Sequence, residues 1–100
     1  MAQFHFRAEL WEHPSASPGS WHFVTLPGGL AEDIIGQAGQ RNSFGSIPVE
    51  ATIGATTWRT SLFPDKARMS LLLPVKKHVR AIEGLSDGTA CQVALSIVDY

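Results

Sequence analysis

The chain has 100 residues, 44% of them hydrophobic and 17% charged, with a formal net charge of −1. That size and balance describe one globular domain with a single core and exclude a disordered chain. No apolar run is long enough to span a membrane as a helix, and no overall positive charge draws the molecule to nucleic acid or acidic lipid.

The opening stretch, MAQFHFRAELWEHP, lacks a basic flank followed by a long apolar run, so no secretory leader is expected. Cys91 is the single cysteine, which fits a reducing compartment and a cytoplasmic location. Residues 3–12 alternate, with Phe4, Phe6, Ala8 and Leu10 on one side and His5, Arg7, Glu9 and Trp11 on the other. That period of two predicts a half-buried strand. HPSASPGS is turn-forming by composition, and residues 21–26 are expected to return as an antiparallel strand. With Glu12 opposite Trp21, the outward Trp11 would face His22, to support the hairpin or to mark a contact surface, hairpin support being the plainer reading.

Pro27 stops this second strand and Gly28-Gly29 permit a redirection. Leu30, Ile34 and Ile35 recur at helical spacing, and Glu32 and Asp33 are placed in the first turn, where the helix dipole favours acids. Gly36 and Gly39 are read as terminators. GQRNSFGS is expected to be a loop, and residues 47–53 a strand with Val49, Ala51 and Ile53 on one face. Pro48 suggests an edge or strand-initial position.

The plan then repeats. Residues 57–63 read as a strand with Trp58, Thr60 and Leu62 on one face and Arg59, Ser61 and Phe63 on the other, Trp58 being read as core; PDKAR turns it, and residues 69–73 return. Pro74 would start a helix whose apolar stripe is Val75, Val79 and Ile82, with Gly84 as terminator. SDG leads into a last strand, residues 90–98, with Cys91, Val93, Leu95 and Ile97 inward. The order is β-β-α-β twice, in halves of about residues 3–54 and 56–99, each with a Leu-Pro pair (Leu26-Pro27, Leu73-Pro74) ahead of its helix. A single such unit leaves a sheet face uncovered, and its twin would cover it. The fold expected is one mainly β barrel domain over residues 1–100, with two short helices, and a monomer.

Two resemblances bear on this plan. LLLPVKKHVRAIEGLSDGTACQVAL resembles the swapped-hairpin motif of AbrB- and MazE-type regulators, which are DNA-binding dimers. FRAELWE, SWHFVTLP, IPVEATIGATTWRTSLFP and LLLPVKKHVRAIEGLSDG together resemble the bacterial DUF1905 family, most specifically through TIG…TWRTSLFP. That resemblance implies a double-split β-barrel, a pseudo-dimer of two β-β-α-β units, and supplies no activity. Domains of this family are often followed by one similar to the YdeI/OmpD-associated family. Since this sequence stops at Tyr100, any function that needs such a domain would have to find it on another chain.

Charge is unevenly spread. Arg59, Lys66, Arg68, Lys76, Lys77 and Arg80 crowd residues 55–80 against Asp65 alone. Lys76 and Lys77 fall in the first turn of the second helix, the disfavoured end for cations, and Arg80 lies one turn on. Arg59, Lys76, Lys77 and Arg80 are therefore the candidate site, for a small anion at the seam between halves. Solvated charges are the plainer reading of all four. The histidines (His5, His13, His22, His78) show no ligand spacing and are expected at the surface or rim. There is no nucleophile elbow and no phosphate-loop ending. Neither a catalytic set, a metal nor a cofactor is expected. A non-catalytic binding module is the leading reading, an anionic-ligand binder or enzyme the second, and a DNA-binding regulator the weakest.

Overall fold

The computed structural model describes residues 3–13, 21–38 and 46–98. Alternation drives the strands. β1 (Gln3–Glu12) buries Phe4, Phe6 and Leu10, and β2 (His22–Thr25) buries His22 and Val24. After α1 (Gly28–Ala38) come β3 (Ile47–Ile53), β4 (Thr56–Asp65) and β5 (Ser70–Pro74). The short α2 (Lys77–Glu83) and β6 (Ala90–Ile97) complete the chain. HPSASPGS and GQRNSFGS fall almost wholly outside the described residues.

The six strands close into an antiparallel barrel of order β1-β2-β5-β4-β3-β6. Exchanging β1 with β4, β2 with β5 and β3 with β6 returns the same order. Each hairpin, β1–β2 or β4–β5, thus borrows the last strand of the other half: β6 pairs with β1, and β3 with β4. The two longest strands bend between the two sides of the barrel. β1 pairs with β6 from Gln3 to Glu9 and with β2 from Leu10 to Glu12. β4 pairs with β3 from Thr56 to Leu62 and with β5 from Phe63 to Asp65. Closure seats each of the six strands between two others.

Inward side chains from all strands form one core, including Leu10, Val24, Val49, Leu62, Leu73 and Val93. α1 adds Ala31 and Ile34, α2 adds Val79. Trp58 is 6% exposed and belongs to this core, as its inward position predicts. Cys91, at 2%, is a small core residue too, and burial pushes its thiol pKa up.

Several local expectations are corrected. α1 begins at Gly28, with the Ala31 N–H donating to the Pro27 carbonyl, so no acid occupies its first turn; Glu32 and Asp33 come later. Gly36 lies inside the helix and does not end it. Burial of Ala31 and Ile34 on the barrel outweighs the ~1 kcal/mol that each helical glycine costs. Pro74 ends β5, paired with Phe23, and does not open the helix. The Val75 N–H donates to the His22 carbonyl, which holds the chain extended until Lys76, the N-cap at φ −65 and ψ 152. The stripe Val75, Val79, Ile82 breaks at its last member, since Ile82 is 66% exposed. α2 ends in a left-handed Gly84, and Leu85 N–H donates to the Arg80 carbonyl at 2.8 Å. That reversal sends Leu85 against the core where Ile82 was expected. β4 runs on through Pro64, and Met69 sits in the turn before β5. Pro48 is near the start of β3 as expected, and the barrel gives it no edge.

Candidate functional site

The two sides of the barrel differ on their outer surfaces. Where β1, β6, β3 and β4 pair, the outward residues are polar: His5, Arg7 and Gln92, then Ser96, Glu50 and Arg59 across neighbouring strands. Where β1, β2, β5 and β4 pair, they are apolar. One rung runs Trp11–Phe23–Pro74 and the next Thr25–Leu72–Phe63. Trp21, just ahead of β2, is 57% exposed, and Phe63 is 46% exposed. Among the described residues, every aromatic side chain outside the core (Trp11, Trp21, Phe23 and Phe63) belongs to this second face.

The aromatic groups support one another. Trp21 stacks on Phe23, with planes 9° apart and centroids at 6.2 Å. Phe23 meets Trp11 at 5.3 Å, and His13 lies 6.2 Å from each. The Trp11 Nε1–H donates to Thr25 Oγ1 at 2.9 Å, laying the indole across the sheet. Arg68 covers its far end, with Cζ 4.6 Å from the ring centroid. A second contact fixes Arg68, whose Nη1 donates to Asp65 Oδ2 at 2.7 Å. The Arg68 guanidinium holds the Asp65 carboxyl below the ordinary value of 3.8.

Trp11 therefore sits opposite Phe23, and the expected pairing with His22 is wrong by one residue. A one-residue slip turns a strand inside out. The expected register would have put Val24 and Leu26 in water; the observed one buries both and takes His22 inside with them, at 7% exposed. The expectation that all histidines lie at the surface or rim fails at this position. His22 Nδ1 and Trp58 Nε1 are buried and find no hydrogen-bond partner among the described residues.

The turn from β4 to β5 borders the face. Asp65 Oδ1 also accepts the Arg68 backbone N–H, at 3.4 Å. The turn forces Met69 to φ 52, a region that side chains with a Cβ rarely occupy, and leaves it 86% exposed. Between this turn and α1 lies an open groove of about 450 Å³, with walls that include Ala31, Ile35, Pro64 and Met69.

The four candidate anion-site residues divide. Arg59 is on the polar face, opposite Glu50 in the ladder and 3.7 Å from its carboxylate. Lys76 and Lys77 are exposed where β5 passes into α2. Arg80, on α2, donates from Nε to the Val75 carbonyl at 3.2 Å. One short segment thus carries Lys76, Lys77 and Arg80, while Arg59 engages a cross-strand acid.

The aromatic face went unassigned from sequence, although its signal is present. In WHFVTL the buried set His22, Val24, Leu26 fixes Trp21, Phe23 and Thr25 as outward. Two aromatics in that set beside an outward Trp11 mark a surface unlike a solvated one. Met69 carried no such signal, because its conformation comes from the turn.

No curated protein matches the chain. A family model described as "Domain of unknown function (DUF1905)" matches residues 6–95, nearly the whole length. The matched span takes in β2 to α2 whole and most of β1 and β6, as the resemblance of FRAELWE, TIG…TWRTSLFP and the Leu-Pro segments implied, and the chain belongs to the DUF1905 family.

Proposed function

We propose that the domain is a non-catalytic binding module whose working surface is the outer face of β1, β2, β5 and β4. The gathering on that side of all the outward aromatic side chains among the described residues carries this reading. An exposed Trp21 stacked on Phe23 offers a large, flat, amphipathic contact area at little entropic cost. Such surfaces mark places where a partner or ligand sits.

A small anion held by Arg59, Lys76, Lys77 and Arg80 has less support. Arg59 already faces Glu50, and Arg80 is engaged within its own segment. A protein partner, including a domain similar to the YdeI/OmpD-associated family supplied from another chain, remains one class of occupant for the aromatic face.

The test is in-cell photo-cross-linking with benzoylphenylalanine placed at Phe63, on this face, or at Thr57, exposed on the polar face. Adducts are expected at the first position and not at the second. Equal labelling, or none at Phe63, removes the proposal.

A further inference from the structure

We infer that the aromatic face binds single-stranded nucleic acid, with bases stacking on Trp21 and its neighbours and phosphates held by Lys66, Lys76 and Lys77. The inference rests on the binding-module reading above and names its ligand.

The chain has three lysines, and all flank β5, the strand that lies between β2 and β4 on this face. Lys66 is in the turn before β5; Lys76 and Lys77 follow its end; all are exposed. The formal charge of −1 hides this arrangement, although Glu32 and Asp65 line the same groove as Lys66. An extended polyanion meets cations at both ends of one strand and aromatic rings between them. β5 separates those ends by roughly 17 Å at about 3.3 Å per residue, a span suited to a stretch at the short end of single-strand site sizes, about four nucleotides.

Register brings the two chemistries together at one end. Phe23 pairs with Pro74, and Val75 N–H reaches the His22 carbonyl. One step further along both chains come Trp21 and Lys76, a stacking residue and a cationic residue at neighbouring register positions. At the other end Arg68 already lies over the Trp11 ring. Asp65 neutralises that guanidinium, so the charge available there is that of Lys66. Stacking tolerates any base, since every base has a π-face. A duplex keeps its base faces covered and gains only the lysine contacts. Preference for the single strand follows.

The experiment is fluorescence anisotropy with a labelled oligothymidylate of a dozen nucleotides, beside a duplex of equal length. The oligonucleotide should bind at low salt and outcompete the duplex. Three lysine–phosphate contacts give a slope of log affinity on log salt of about −2, at about −0.7 per contact. Trp21→Ala removes an exposed ring and should leave Tm unchanged while weakening binding about tenfold. The double variant Lys76→Ala/Lys77→Ala should flatten the salt slope by about 1.4 and keep the preference for single strands.

Absence of binding at low salt, equal affinity of Trp21→Ala and wild type, or preference for the duplex would each overturn the inference. Should the oligonucleotide fail while Phe63 still cross-links in cells, the ligand class is wrong and the binding surface stands. Failure of both removes the surface as well.

Discussion

Gly54 opens the two-residue turn between β3 and β4 at φ 60, and a side chain there meets two obstacles. The left-handed conformation costs a residue with a Cβ about 1–2 kcal/mol. A Cβ at this position would also fall on the Glu83 carboxylate, which accepts a 2.6 Å hydrogen bond from Thr56 Oγ1 and ties α2 to the hairpin. Glu83 must then swing away. Hydrogen bonds to charged groups contribute about 1.5–3 kcal/mol, less at a partly solvated position, so about 1 kcal/mol is a fair loss. Gly54→Ala should therefore destabilise by about 2–3 kcal/mol, or roughly 10–20 °C in Tm at about 4–8 °C per kcal/mol for a domain of this size. Thr56→Val alone should cost about 1 kcal/mol. In the Thr56→Val background the clasp is already gone, so Gly54→Ala should cost only its backbone share of about 1–2 kcal/mol. Urea unfolding of the four proteins closes this cycle. Strict additivity, or a neutral Gly54→Ala, would refute the clasp.

Three further outcomes are expected. Asp65→Asn should lower stability by no more than about 1 kcal/mol, as for other surface ion pairs. Because Arg68 depresses the Asp65 pKa, the wild-type advantage is complete above 3.8, the unfolded value. It is lost as pH falls through the lower folded value, so Tm curves of the two proteins should converge below about pH 4. Leu73→Ala should cost about 2–5 kcal/mol by opening a cavity in the core, whereas Ile82→Ala should stay within about 0.5 kcal/mol; comparable losses would restore the apolar stripe that α2 was expected to show. Cys91 should resist a thiol reagent in the native protein at neutral pH and react only on unfolding, as a buried thiol with raised pKa requires. Prompt native reaction would place it outside the core.

Strand positions and the order β-β-α-β, twice over, were legible because alternation and Leu-Pro punctuation are local signals. Barrel closure is not local: that β6 returns to β1 and β3 pairs with β4 depends on both halves at once. The errors have the same origin. Pro74 and Val75 satisfy every local rule for a helix start, yet the carbonyl of His22, far away in sequence, keeps them extended. Ile82 completes a helical stripe, yet the Gly84 reversal puts Leu85 in its place. At the site, the basic residues were visible and their company was not. Only the register of β1 with β2, fixed by the need to bury Val24 and Leu26, sets Trp11 beside Phe23 and makes a face from scattered aromatics. Arg59 was grouped with Lys76, Lys77 and Arg80 by sign alone, and its cross-strand neighbour proved to be Glu50.

Oxidative footprinting of the tryptophans in intact cells and in the purified protein bears most directly on the aromatic face as the working surface. The account predicts strong labelling of the exposed Trp21 in isolation and marked protection in cells, with Trp58 shielded in both. Equal labelling of Trp21 in the two settings would contradict it.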